Sequence, residues 1–226
     1  MLTFRRSAQG RQDTIALSPH ALVIAGWAGR DEAAIRHHIE ELAAIGVPPP
    51  SSVPVYYRVA AETLTQAPHL TVLGPDSSGE AEPVVLALAD GLWLGIGSDH
   101  TDRKAETVGI ALSKQLCGKP VGAELWRLDE VEAHWDDLVM RSFATIDGER
   151  VLYQEGRLSA LRHPRDLIAR NPDGPDLAPG TVMFGGTLGA IGGIRPAARF
   201  EMELEDPVLG RRLAHGYDIV TLPVVA

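Results

Sequence analysis

The residues best placed to do chemistry are Glu80-Ala-Glu82 and, seventeen positions past Glu82, Asp99 within Gly97-Ser-Asp-His-Thr-Asp-Arg103. In an extended strand, positions two apart point to the same face, so the two glutamates converge. Apolar runs between Val84 and Gly97 flank Asp90-Gly91. Asp-Gly is a preferred pair for a two-residue turn with positive φ, which predicts a β-hairpin that returns Asp99 to the glutamates. Like charges held that close repel unless a cation sits between them. Three hard carboxylates suit Mg²⁺, Mn²⁺ or Ca²⁺ rather than zinc, which prefers nitrogen and sulfur. Glu-x-Glu alone is also common on solvated strands, so it is Asp99 that turns the pair into a candidate site.

Other reactive types carry weaker signals. Cys117 beside Gly118-Lys119 lacks an accompanying histidine motif and reads as a buried structural thiol. His38 borders the apolar stripe of a predicted helix and His37 faces away from it, which makes both surface or boundary histidines. The cluster Gly185-Gly-Thr-Leu-Gly-Ala-Ile-Gly-Gly193 fits no nucleotide-binding signature. It could bring backbone amides and the Thr187 hydroxyl to a ligand carboxylate, or be a flexible loop.

These residues need elements to position them. Leu2–Arg5, Thr14–Leu17 and Ala21–Ala25 read as strands. Asp31–Ile45 reads as an amphipathic helix with acidic residues in its first turn and Gly46 after it. Val53–Val59 is extended, following a proline-rich connector too short to separate two cores. Asp147-Gly148 predicts a second hairpin. Thr101–Leu116 and Leu158–Arg170 read as helices, the latter with Pro164 near its start; Ala198–Leu204 and Tyr217–Leu222 alternate like strands. Strands outnumber helices, without regular βαβ alternation or an internal repeat.

Composition sets the class. The chain has 226 residues, 45% hydrophobic and 23% charged, enough to bury roughly 70% of the surface it exposes when unfolded. A formal charge of −9 and 5% aromatic residues argue against nucleic acid and anionic lipid as partners. The run Pro83–Gly97 is interrupted by Asp90 and too short for a membrane helix. A single cysteine, and a start without a charged leader and apolar block, predict a soluble protein of the reducing cytoplasm.

In this order the pieces resemble the fumarylacetoacetate hydrolase superfamily, in a short, divergent branch with the Gly-Ser-Asp-His-Thr-Asp-Arg signature, over about Ala25–Leu222. Pro54-Val-Tyr-Tyr-Arg58 followed by Glu80-Ala-Glu82 is similar to the strand and metal pair of that family. Ser98-Asp-His-Thr-Asp-Arg103 is similar to its Asn-Asp-x-x-x-Arg element, and Pro179–Thr187 to its Pro-Gly-Asp-containing segment. The family usually spaces its glutamates and aspartate more widely, with a helix between; here only a tight hairpin remains.

The resemblance implies an α+β, mainly β fold: a mixed β-sandwich roll of the fumarylacetoacetate hydrolase type with a few peripheral helices. It is read as one catalytic domain over 1–226, with an N-terminal cap of about 1–50 and a metal-binding roll over 51–226. The implied metal ligands are Glu80, Glu82 and Asp99, for Mg²⁺ or else Mn²⁺ or Ca²⁺. Substrate binding falls to Tyr57, Arg58, Gly186 and Thr187. Lys114, with Lys119 as second candidate, and Arg103 would stabilise developing negative charge. Hydrolytic members carry a histidine where this chain has Asp31 or Glu32, so the base is left open among Glu32, His38 and His100. The expected activity is metal-dependent carbon–carbon hydrolysis of a 2-oxo or 2,4-dioxo acid; the alternatives are a hydratase or dehydratase, tautomerase or decarboxylase, or a non-catalytic acid-binding protein. A homodimer is expected from the family.

Overall fold

Strand formation follows the hydrophobic pattern. Leu22-Val-Ile-Ala25 is buried at every position, as for an interior strand covered on both faces. Arg199–Asp206 instead alternates between half-buried and buried, the period of a strand with one face to the core. The structure, a computed structural model, describes residues 1–44 and 49–225, with the side chains of His38 and of residues 41–44 outside the description.

Strands β1 (Leu2–Ala8), β2 (Arg11–Leu17) and β3 (Ala21–Gly26) lead to helix α1 (Glu32–Ala44). They are followed by β4 (Val55–Val59), β5 (His69–Leu73), β6 (Ala81–Leu88) and β7 (Gly91–Ser98). Two short helices, α2 (Arg103–Glu106) and α3 (Ile110–Gln115), precede β8 (Glu124–Arg127), β9 (Val139–Ile146) and β10 (Glu149–Arg157). Helix α4 (Pro164–Ala169) and strands β11 (Thr181–Phe184), β12 (Arg199–Asp206) and β13 (Arg211–Leu222) complete the chain.

An eight-stranded sheet runs β2-β1-β8-β7-β6-β11-β3-β4, and a five-stranded sheet runs β10-β9-β12-β13-β5. Both are mixed: β1 is parallel to β8, β3 to β11 and β5 to β13, and the other neighbours are antiparallel. The predicted mainly β fold with few helices is thus the one observed, and β1–β3 belong to the same sheet as β6 and β7. Val85 of β6 and Ile96 of β7 meet Met140, Phe200 and Met202 of the second sheet in one core. Val84 and Leu86 turn to a second core with Phe4, Trp93 and Phe184. Because β6 is central and buried on both faces, its start is a rigid place to mount a side chain. No helix among the described residues is long and apolar enough to cross a membrane.

Three elements differ from the sequence reading. The first hairpin pairs Leu88 with Gly91, so its turn residues are Ala89-Asp90 rather than Asp90-Gly91. Asp90 is held there by Arg6 at 2.7 Å and by the Trp93 indole N–H at 3.0 Å. Thr101–Leu116 is not one helix: Thr101-Asp102 pairs with Ser77-Ser78, Asp102 caps α2 by accepting from the Ala105 N–H at 2.8 Å, and the chain breaks before α3. Leu158–Arg170 begins as a single 3₁₀ turn at Leu158–Ala160 and becomes helical at Pro164. The second hairpin turns on Asp147-Gly148 as expected, both at positive φ.

Gly97 lies opposite Glu82 in the β6–β7 ladder, and a Cβ there would come 2.8 Å from both Phe184 Cε1 and Val84 Cγ2. Gly97→Ala is expected to destabilise the protein by about 1–3 kcal/mol, read as a lower urea midpoint at unchanged slope. An unchanged midpoint would contradict this close packing.

Candidate metal centre and cleft

Glu80 enters β6, Glu82 is its second residue, and the register pairs Ala81 with Ser98. The ladder runs one step further, with the Asp99 N–H donating to the Glu80 carbonyl at 3.0 Å. As a result Glu80, Glu82 and Asp99 each offer a carboxylate oxygen within 4.8 Å of the others. Glu82 is 2% exposed and Asp99 fully buried. Burial, reinforced by the neighbouring Asp99 charge, pushes the Glu82 carboxyl well above the ordinary carboxylate range. Burial pushes Asp99 the same way, but the Lys114 and Lys119 charges overcome it and hold its carboxyl below the usual value.

The cations come from the segment after the hairpin. The break between α2 and α3 lets both short helices contribute: Lys114 of α3 pairs with Asp99 and lies 3.8 Å from Glu80. Arg103, the first residue of α2, lies 2.9 Å from Glu80 and donates to Ser78 Oγ at 2.7 Å and to Glu106 at 3.1 Å. Burial opposes the Lys114 charge, yet the three carboxylates keep its pKa above the ordinary lysine value. Lys119 is fully buried, donates to the His100 carbonyl at 2.6 Å and lies 3.2 Å from Asp99 Oδ1. Lys119 is thus the ion-pair partner of Asp99 Oδ1, an oxygen with no well-aligned hydrogen bond among the described residues. Three carboxylates converging within 4.8 Å, with one Asp99 oxygen held only by an off-line ion pair, are a donor set suited to a hard divalent cation.

The opposite wall is a backbone cradle. Gly186 at φ +93° turns its N–H onto Glu82 Oε2 at 2.8 Å, and a Cβ there would lie 2.7 Å from that of Ala28. The Thr187 hydroxyl donates to the Ala81 carbonyl at 2.9 Å. Gln154 ties these parts together. Its Oε1 accepts from the Ala81 N–H at 3.0 Å and from the Ser142 hydroxyl at 2.7 Å, and its amide donates to Thr187 Oγ1 at 2.7 Å and the Leu188 carbonyl at 2.6 Å.

A cleft of about 560 Å³ opens over this arrangement. Of the residues predicted from sequence, Glu80, Glu82, Arg103, Lys114, Tyr57, Gly186 and Thr187 line it, and Asp99 lies buried beneath. Three predicted residues are elsewhere. Arg58 is turned to Asp173 at 2.6 Å and Asn171 at 3.0 Å, because its neighbour Tyr57 takes the cleft side of β4. Glu32 is exposed at the start of α1, paired with Arg162 at 2.8 Å; that hydrogen bond holds its carboxyl below the ordinary range. His100 is fully buried between Tyr217 and Ser77, each at 2.9 Å. Burial, then the Lys119 charge, push His100 down to about 3. The His38 side chain lies outside the described residues. Cys117 is buried, and burial pushes its thiol up to about 11. Glu106, Tyr153 and Gln154 line the cleft and were not anticipated. The Ser142–Gln154 and Phe143–Leu152 pairs bracket a bulge at Tyr153, which buries Tyr153 and Gln154 together, and nothing in the strand pattern announces it.

The architecture is of the fumarylacetoacetate hydrolase type. The chain is similar to the solved 2-keto-3-deoxyarabinonate dehydratase, with a TM-score of 0.66, 15% identity and coverage of 90% of this chain and 75% of that one. A structure of 2-keto-3-deoxy-D-arabinonate dehydratase complexed with magnesium and 2,5-dioxopentanoate matches with a TM-score of 0.64, 14% identity and coverage of 91% and 74%. Cg1458 with inhibitor matches with a TM-score of 0.64, 18% identity and coverage of 95% and 84%. No curated protein sequence matches the chain. The chain belongs to the family described as protein of unknown function DUF2848, whose model matches residues 25–217.

Gln154→Leu keeps bulk but strands the Ala81 N–H and frees the Thr187–Leu188 segment. It is expected to cost about 2–4 kcal/mol in urea unfolding, and a variant as stable as wild type would contradict the bridging role.

Proposed function

We propose that this protein is a divalent-cation-dependent lyase or isomerase acting on a 2-oxo acid, moving a proton at the carbon beside the oxo group in a hydration, dehydration or tautomerisation. The single observation that carries the reading is the convergence of the partly buried Glu80 with the buried Glu82 and Asp99, their carboxylate oxygens within 4.8 Å of one another, at the floor of a cleft lined by Lys114 and the Gly186–Thr187 cradle. When bound by the three carboxylates, a magnesium-like ion supplies Lewis-acid polarisation of the 2-oxo group. The dehydratase neighbour complexed with magnesium and 2,5-dioxopentanoate supports the same chemistry here.

The chain's own residues take the remaining roles. Lys114 and Arg103 are the cationic side chains lining the cleft, and either can stabilise an enolate oxygen. Tyr57, whose ring centre lies 5.7 Å from Lys114 Nζ, and Thr187 border the position of a substrate carboxylate. Glu106 is the carboxylate of the cleft outside the triad, oriented by Arg103, and is the acceptor proposed for the substrate proton. Formal charge fits a monocarboxylate once the cation is bound and holds every carboxylate ionised: Glu80, Glu82, Asp99 and Glu106 then stand against Arg103, Lys114, Lys119 and the ion. That leaves one positive charge, which the substrate anion neutralises.

Carbon–carbon hydrolysis is the second reading, favoured by the fold type alone; Glu32 and His100, two of the bases it could use, are turned to partners outside the cleft. Thermal unfolding with Mn²⁺ or Mg²⁺ tests the metal first. At a hundredfold excess over Kd the ion should stabilise wild type by about 2.7 kcal/mol and leave Glu82→Ala unmoved; no response from wild type would refute the site. Proton NMR of 2-oxo acids in D₂O with the metal-loaded protein then separates the reactions. Loss of the C3 proton signal without cleavage fragments is expected, and fragments would establish the hydrolase. Lys114→Met should lower the exchange rate by about 10²–10³-fold.

A further inference from the structure

The polar groups of the cleft are gathered around the triad. Arg103 and Lys114 meet Glu80, and Glu106 is held by Arg103. The Gln154 amide is committed to Thr187 and Leu188. The Tyr153 hydroxyl accepts from the Arg195 N–H at 3.0 Å. Tyr57 stands beside Lys114, its ring centre 5.7 Å from Nζ, on the triad side; the wall away from the triad is drawn mainly from two apolar segments. The first is Trp27-Ala28 at the end of β3 with Ala34 and Ile35 of α1, where Ile35 packs against Gly29 closely enough that a Cβ there would lie 3.2 Å from it. The second is the stretch after the cradle, with Leu188, Ala190 and Ile194. Ile194 is 56% exposed and nearby Ile191 48% exposed, so two isoleucines of this loop face water.

A hydroxylated chain laid on this wall would surrender hydration, and the polar groups nearby, gathered at the triad end with Tyr57, do not reach the apolar segments to replace it. A hydrocarbon chain would instead remove Ile35, Leu188 and Ile194 from water. Resting on the 2-oxo-acid reading of the same site, we infer that the substrate carries an apolar aliphatic or aryl chain beyond C3, seated against Ile35, Leu188 and Ile194, rather than the polyhydroxylated chain of a sugar acid.

Calorimetric binding to the manganese-loaded full chain tests this, using oxalate, 2-oxobutanoate, 2-oxohexanoate, phenylpyruvate and 2-keto-3-deoxyarabinonate as probes. Affinity should rise about fourfold for each methylene that reaches the wall, and the sugar acid should bind at least tenfold more weakly than 2-oxohexanoate. Ile194→Ser, on an exposed loop where folding is not at stake, should lower the ratio of 2-oxohexanoate to oxalate affinity at least threefold. Ile35→Asn should do the same. A sugar acid that binds as tightly as 2-oxohexanoate, or a ratio unmoved by Ile194→Ser, overturns the inference and leaves the proposed function standing if oxalate binds. Failure of oxalate to bind the manganese-loaded protein overturns both.

Discussion

Three carboxylates held within 4.8 Å of one another, two of them out of water, are the constraint around which this structure is arranged. Left alone, such a cluster would neutralise itself by taking up protons or push its members apart. The fold prevents separation because Glu80, Glu82 and Asp99 sit at the end of a two-strand ladder in the middle of an eight-stranded sheet. It limits neutralisation by setting Lys114 and Lys119 against Asp99 and Arg103 against Glu80. One Asp99 oxygen is left with only the off-line Lys119 ion pair, and the crowded carboxylate oxygens match what a hard divalent cation would bind.

Several irregular features serve the same centre. The break between α2 and α3 sends Arg103 and Lys114 to Glu80 from two directions, which one straight helix over that span would not achieve. The Tyr153 bulge brings Gln154 under Ala81 and Thr187, linking the second sheet to the triad's strand. The positive φ of Gly186 aims an amide at Glu82. Regular strands supply rigidity, and the departures from regularity supply direction.

Much of this was legible in the sequence because it depends on local rules. Period-two alternation places Glu80 and Glu82 on one face, and a short hairpin must return Asp99 beside them. The fold class and the positions of Tyr57, Lys114, Gly186 and Thr187 came instead from the family resemblance, not from a local rule. Less legible were features decided by tertiary partners. Asp90 sits in its turn because Arg6 and Trp93 hold it, one residue from where dipeptide preference puts it. His100 follows a triad residue, yet its imidazole is taken by Tyr217 and Ser77. Glu32 is drawn off by Arg162, a residue distant in sequence. Gln154 was invisible because a bulge has no hydrophobic period.

The central claim is that Glu80, Glu82 and Asp99 together hold a divalent cation, and a crystal structure of the protein grown with Mn²⁺, measured for anomalous scattering, tests it most directly. The account predicts one strong manganese peak within coordination distance, about 2.0–2.6 Å as for hard oxygen-bound divalent ions, of a carboxylate oxygen of all three residues, with Asp99 Oδ1 among the ligands. A well-ordered triad with no anomalous peak, or a peak bound by other residues while these three remain paired to Lys114, Lys119 and Arg103, would contradict it.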